Sequence, residues 1–287
     1  MSLKTQSRFF MINTQQSIGV FDSGYGGLTV FKSIVKKLPD YNYIYLGDNG
    51  RAPYGDRSFD TIYQYTLECV EWLFAQNCPL VILACNTASA KALRSIQQNI
   101  LPNKYPGYRV LGVIRPTAEI VGDFTKSNVV GVMGTRGTVN SESYLMEIDH
   151  FFPNVKVVQQ SCPMWVPLIE NNEHLEPGAD YFVKEYVAEL LAKDAHIDCI
   201  ILACTHYPLL IPKIKEFLPN GIDLLGQDDI VADSLVSYLE RHPEIAGQLG
   251  KAAIRAFYTS GDPRAFDASA SIFFGETVNS NRVDLKL

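Results

Sequence analysis

Cys85 and Cys204 sit in near copies of one another. Val81-Ile82-Leu83-Ala84-Cys85-Asn86-Thr87 matches Ile200-Ile201-Leu202-Ala203-Cys204-Thr205-His206. In each, an apolar run leads straight into a cysteine, and small polar residues follow. Such a run predicts a buried parallel strand, and open α/β sheets bind ligands at the C-terminal ends of their strands. A thiol can donate a proton and a thiolate can accept one. Two of them, meeting a substrate from opposite faces, can remove a proton from one side of a carbon and return one to the other. Alone, either cysteine reads as a small buried hydrophobe. Repetition of the whole strand-Cys-polar unit favours the functional pair.

The neighbours of the two thiols fit that chemistry. Cys85-Asn86-Thr87-Ala88-Ser89 opens a helix, whose dipole and free amides are expected to lower the thiol pKa toward neutrality. Asn86 and Thr87 offer donors to a carboxylate. In Cys204-Thr205-His206-Tyr207-Pro208, Pro208 suits a first helical turn, and His206 can tune Cys204 or exchange protons with it. Cys-x-His also occurs at metals, but zinc takes three or four ligands and no other Cys/His pair lies nearby in sequence. No metal is expected.

Two turns stand at the openings of the repeated units. Asp22-Ser23-Gly24-Tyr25-Gly26-Gly27 lets backbone approach a ligand and precedes a helix N-terminus. It is equally a tight turn with Asp22 as helix cap. Thr29 occupies the place of the third glycine of a dinucleotide fingerprint, which disfavours nicotinamide and phosphate-loop enzymes. Gly134-Thr135-Arg136-Gly137-Thr138-Val139-Asn140-Ser141 is its counterpart. Its hydroxyls either donate to a carboxylate or cap a helix. The Gly47–Gly55 loop can wall a pocket, although locally it reads as a surface turn. Glu170, read alone, is an exposed surface acid.

Around these segments the chain of 287 residues, 47% apolar and 20% charged, reads as a globular protein. A net charge of −6 without a Lys/Arg cluster excludes nucleic acid and anionic membranes as primary partners. No apolar run approaches the roughly 18 residues needed to span a bilayer. Met1 to Ser17 lacks the apolar core of a secretory signal, so a cytoplasmic location is expected. The six cysteines form no C-x-x-C pair, which argues for reduced thiols over a disulfide scaffold.

Strand-like and helix-like runs alternate from Ser17 onward. Strands are predicted at 18–21, 43–46, 80–84 and 109–114, and helices at 28–38, 59–76 and 88–98. The pattern restarts with strands at 129–133, 155–158 and 199–203 and helices at 142–150 and 181–193. A tail follows, with strands at 222–225 and 254–258 and a helix at 230–241. Alternation of this kind builds parallel sheets. The fold class is α/β, with two similar doubly wound parallel-sheet domains and a site in the cleft between them. The expected division is a flexible tail at 1–16, a first domain at 17–113 plus 226–287, and a second at 114–225. Hinges are expected near Gly112 to Pro116 and near Gly226.

Together these segments resemble the glutamate racemase family over most of the chain. The motifs are Asp22-Ser23-Gly24-x-Gly26-Gly27-Leu28-Thr29, Pro53-Tyr54-Gly55, Ala84-Cys85-Asn86-Thr87-Ala88-Ser89, Gly134-Thr135-x-x-Thr138 and Cys204-Thr205-His206-Tyr207-Pro208-Leu209. The resemblance implies cofactor-independent interconversion of L- and D-glutamate, supplying D-glutamate for peptidoglycan. It implies Cys85 and Cys204 as the acid/base pair, with Asp22, His206 and Glu170 assisting. Asp22 would serve Cys85, and His206 would serve Cys204. Ser23, Tyr54, Gly55, Asn86, Thr87, Thr135, Thr138 and Thr205 would join Asp22 and His206 around the substrate. A homodimer is implied, with no face chosen.

Two residues depart from the family pattern. Ala203 stands where many members carry Gly, a change expected to be tolerated. Arg115 stands where many have an acidic or apolar residue, and is expected to alter the hinge or a subunit contact. Other readings are an aspartate or related amino-acid racemase, or a non-catalytic protein that binds acidic amino acids. A pyridoxal enzyme would need a lysine, and these segments contain none.

Overall fold

The computed structural model describes residues 16–285. The expected tail at 1–16 lies outside them except for Gln16, which bridges to Leu249.

Among the described residues, ten strands form two all-parallel sheets. In the first, β1 (Ile18–Asp22), β2 (Tyr43–Gly47), β3 (Leu80–Leu83) and β4 (Arg109–Gly112) are joined by β9 (Arg255–Thr259) and β10 (Ser280–Arg282) in the order β10-β9-β2-β1-β3-β4. The second contains β5 (Val129–Gly134), β6 (Lys156–Ser161), β7 (Cys199–Ala203) and β8 (Asp223–Leu225) in the order β6-β5-β7-β8. The order β2-β1-β3-β4 of the first sheet thus recurs in the second, as the paired cysteine segments foreshadowed.

The apolar runs give these strands because both sheet faces are covered by helices. Along β3, Leu80 and Ile82 enter one apolar cluster while Val81 and Leu83 enter another. Along β7, Ile200 and Leu202 face one cluster and Cys199, Ile201 and Ala203 the other. Complete burial of each such Val, Leu or Ile side chain contributes about 1.5–3 kcal/mol.

Each sheet has one point where the chain leaves its central strand in opposite directions. β1 is flanked by β2 and β3, and β5 by β6 and β7. The strand order reverses there, and the loops splay apart to leave a crevice. The Asp22 turn and Cys85 share the first switch point, where the Ala84 N–H donates to Phe21 O at 2.8 Å. The Thr135 turn and Cys204 share the second, with Gly134 paired to Ala203.

Several boundaries differ from the sequence reading. β4 stops at Gly112, because Ile114–Ala118 turns into a helix whose Ile114 and Ala118 are buried. β6 runs on to Ser161, three residues past the apolar stretch. It is an edge strand, and its Gln160 Nε2 donates to Glu189. The tail contributes an unforeseen helix, Pro263–Phe274, capped by Asp262, and β9 pairs with β2. Arg115 donates to Glu119 at 2.9 Å and rests 5.2 Å from the Phe151 ring centroid. Ala203 is fully buried, and a methyl on Gly134 would meet its Cβ at an ordinary 3.6 Å.

Candidate active site

Cys85 caps the Asn86–Ser95 helix and accepts from Ala88 N–H at 3.4 Å. Ser23, just past the end of β1, lies 3.3 Å from the same sulfur. The expectation that the helix end would lower this thiol's pKa is overturned. Burial, reinforced by the charge of Asp22, pushes the Cys85 thiol up to about 12, against the weaker pull of Ser23 and the Ala88 amide. Withdrawal from water costs the thiolate more than one helix turn returns.

Cys204 has a different support. Its Sγ lies 3.8 Å from His206 Nδ1, and His206 Nε2 lies 3.1 Å from Glu170 Oε1. Burial alone would lower the imidazole pKa. Hydrogen bonding and charge from Cys204 and Glu170 outweigh it and lift the pKa to about 10. The ring is thereby held toward its imidazolium form, which can donate from Nδ1 toward the sulfur and from Nε2 to the carboxylate. Glu170 ends the Trp165–Glu170 helix. It is a partly buried partner of His206, not the exposed acid its local sequence suggested.

Asp22 ends β1 almost fully buried. Its Oδ2 accepts from Gly24 N–H at 2.9 Å, and its Oδ1 has no hydrogen-bond partner. Burial raises its pKa above the ordinary carboxylate range, opposed by His206 and the Gly24 amide. A raised folded-state pKa contributes stability that is complete below the unfolded carboxyl's pKa and is lost as pH rises through the folded value. Withdrawal of this carboxyl from water thus opposes folding at neutral pH. Asp22→Asn is expected to be more stable than wild type at pH 7 by on the order of 1 kcal/mol. The difference should close below about pH 4. Denaturation midpoints across pH check this, and an unchanged or lowered midpoint at pH 7 refutes it.

The Gly47–Gly55 loop is a wall of the site, contrary to its local reading as a surface turn. Tyr54 is buried at 1% exposure, and its hydroxyl donates to the fully buried Asp48. Asp48 also accepts from Arg51 Nε at 2.7 Å and from Ser260 Oγ at 2.5 Å. A buried carboxylate with three donors is a rigid anchor, so Tyr54 is held from behind.

Both cysteines line one cavity of about 60 Å³. Ser23, Tyr54, Gly55, Asn86, Thr87, Thr135, Glu170, Thr205 and His206 line it too. Asp22 and Thr138 do not, and stand behind it. Thr138 is fully buried and its N–H donates to Thr135 Oγ1 at 3.2 Å. It therefore supports Thr135 instead of facing a ligand. Cys162 is a lining residue that sequence reasoning missed. It directly follows β6, at the same kind of strand end as Cys85. Among the described residues, no three His, Cys, Asp or Glu side chains group as a metal site.

The cavity is flanked by contacts between the two sheets' loops. Gly137 N–H donates to Gly55 O at 2.8 Å, and Thr87 and Thr135 hydroxyls meet at 2.9 Å. On the other side, Thr29 Oγ1 donates to Thr205 O at 3.3 Å. Gly26 lies against the same corner, where a β-carbon would come 2.3 Å from Thr205 Oγ1 and 2.5 Å from His206 Nδ1. The geometry is that of a narrow chamber with one thiol at each switch point, suited to proton transfer on two faces of a small molecule.

Comparison with known proteins agrees with this geometry. The Asp/Glu/Hydantoin racemase family model matches residues 18–225. The chain is 39% identical to a glutamate racemase of Jannaschia sp. (strain CCS1) over 93% of this chain and 99% of that one. Among solved structures it is similar to glutamate racemase isoform RacE1 from Bacillus anthracis, with a TM-score of 0.85 and 33% identity over 95% of this chain and 99% of that one. It is also similar to a Francisella tularensis glutamate racemase solved in complex with D-glutamate, with a TM-score of 0.84 and 32% identity over 94% and 98% of the two chains.

Proposed function

The chain belongs to the Asp/Glu/Hydantoin racemase family, and from that premise we propose that it interconverts L- and D-glutamate without a cofactor. The observation that carries this reading is the pair of cysteines, one from each sheet's switch point, lining a single cavity.

The α-proton of an amino acid is very weakly acidic, and inversion takes its removal from one face and delivery of another to the opposite face. One base cannot reach both faces of a held substrate. Cys85 and Cys204 act as the pair, one as thiolate base and the other as thiol acid, and they exchange roles with direction. His206, held by Glu170, supplies positive charge beside Cys204. Asp22 acts from behind Cys85. Hydroxyls of Thr87, Thr135 and Thr205, with Ser23 and Asn86, donate to the substrate's carboxylates, and Tyr54 and Gly55 close one wall. Thr138 acts through Thr135. Donors fixed before reaction stabilise charge developing next to the α-carboxylate, and closure of the loops keeps water from the thiolate.

The two domains in this reading are 17–113 plus 226–287 and 114–225. The family resemblance supports a cytoplasmic homodimer supplying D-glutamate for peptidoglycan. Among the described residues no helix is long and apolar enough to cross a membrane.

Incubation with D-glutamate in D₂O tests the proposal. Optical rotation should fall to zero while deuterium enters the α-position of both enantiomers. Persistent rotation without exchange would leave a binding protein in its place.

A further inference from the structure

Three buried side chains from separate parts of the chain close a ring of hydrogen bonds beside Cys85. Asn86 Nδ2 donates to Gln227 Oε1 at 2.6 Å. Gln227 Nε2 donates to the Tyr144 hydroxyl at 2.6 Å. The Tyr144 hydroxyl donates to Asn86 Oδ1 at 2.7 Å. Every member gives one bond to the next and receives one from the last, so each bond polarises its neighbour. Asn86, Tyr144 and Gln227 are all essentially inaccessible to solvent.

The ring joins places that matter for the site. Asn86 directly follows Cys85 and lines the cavity. Tyr144 belongs to the Ser143–Phe151 helix, which packs on the second sheet. Gln227 directly precedes the Asp228–Arg241 helix, where the chain passes back from β8 to the first sheet. Its Nε2 also lies 3.0 Å from both Val113 O and Thr117 Oγ1, which share its second N–H, and these lie where the chain first crosses to the second sheet. One amide therefore contacts both crossovers.

The direction of the ring also orients Asn86. Its Oδ1 is engaged as an acceptor and one of its N–H groups is given to Gln227. The second N–H is the donor left for a ligand. Reversing the amide would set N–H against the tyrosine's donor and oxygen against oxygen.

We propose that Gln227 is a positioning residue for the reaction: through its ring with Tyr144 it fixes the amide of Asn86 as a donor to the substrate carboxylate and ties that donor to both crossovers between the domains. The role rests on the racemase reading given above.

A double-mutant cycle tests it, with kcat and KM for both glutamate enantiomers, α-deuterium exchange and thermal midpoints measured on each protein. Gln227→Met keeps the length of the side chain and removes its hydrogen bonds. It is expected to lower kcat/KM by about 10- to 100-fold, the cost of one misaligned buried partner. In an Asn86→Ala background the same change should cost about twofold or less. A loss of the same size in both backgrounds, whatever the midpoints do, overturns the proposal. So does a kcat/KM for Gln227→Met within about threefold of wild type, a gap under 1 kcal/mol. If Gln227→Met does not fold, Tyr144→Phe, which removes a single oxygen, carries the same cycle with the same two outcomes. Failure of the racemase reading is separate: wild-type protein would then neither invert nor exchange glutamate.

Discussion

Cys85→Ala and Cys204→Ala are each expected to lose glutamate racemisation by about 10²- to 10⁴-fold, the range supplied by a positioned acid or base, without loss of fold. Both side chains are small and buried, so removing a sulfur leaves a modest void. Each variant keeps one thiol and hence one face. That remaining thiol suffices for a different reaction on a substrate bearing a leaving group at Cβ. The base takes the α-proton, the electron pair forms the Cα–Cβ double bond, and the leaving group departs with its own pair. No proton is needed on the far face. The two variants should therefore eliminate from opposite enantiomers of such a substrate while neither racemises glutamate. Polarimetry with glutamate and leaving-group release with each β-substituted enantiomer check this. Full racemisation by either variant would exclude the two-thiol scheme, and elimination from the same enantiomer by both would exclude the assignment of faces.

Gly26→Ala is expected to lower kcat/KM by about 10²-fold, although the exchange is between the two smallest residues. Gly26 has an ordinary helical φ of −57°, so backbone strain plays no part. The cost lies in approach. A methyl there would come 2.3 Å from Thr205 Oγ1 and 2.8 Å from His206 Cε1. Neither can retreat cheaply. His206 is held at Nε2 by Glu170 and packs edge-on against Phe273 at 5.7 Å. The Thr205 carbonyl accepts from Thr29. The two corners must part, and the Cys204 sulfur moves away from a substrate fixed by the other domain. Gly24→Ala is the comparison, since its β-carbon would stand 3.2 Å from Glu170 Oε1, a contact a side-chain shift of tenths of an ångström relieves. Steady-state kinetics with circular dichroism of both variants decide the matter. Equal activity in Gly26→Ala and wild type would mean that the corners do not need this contact.

The parts of the site legible in the sequence are those marked by apolar runs. Ile82-Leu83-Ala84-Cys85 and Ile201-Leu202-Ala203-Cys204 announce their strands because both sheet faces are covered. The strand-end rule then fixes where the sulfurs lie. Cys162 obeys the same rule yet carries no such mark, because Gln159-Gln160-Ser161 hides the end of an edge strand whose Gln160 amide finds partners. β10 is equally silent, since Ser280-Asn281-Arg282 is an all-polar, mostly exposed edge strand. Tyr54 read as a turn residue because its burial depends on Asp48, Arg51 and Ser260 meeting behind it, one of them from the far end of the chain. The pKa of Cys85 went the wrong way for a related reason. A helix N-terminus is visible in sequence, but the depth at which it is buried is not, and depth prevailed. Gln227 had no local mark at all, because a buried amide is informative only through its partners.

The unlike supports of the two thiols, an imidazolium beside Cys204 and a buried carboxylate behind Cys85, suggest an enzyme biased toward one enantiomer. Thermodynamics limits the form such a bias can take. Mirror-image amino acids have equal free energy in water, so the equilibrium constant is one and kcat/KM must be identical in the two directions. Any preference built by His206 or Asp22 can appear only as a tighter KM matched by a proportionally slower kcat for the same enantiomer. The asymmetry therefore cannot drive the product ratio. It determines which enantiomer accumulates on the enzyme, and so at what concentrations of each the chamber is filled and stops responding to further substrate.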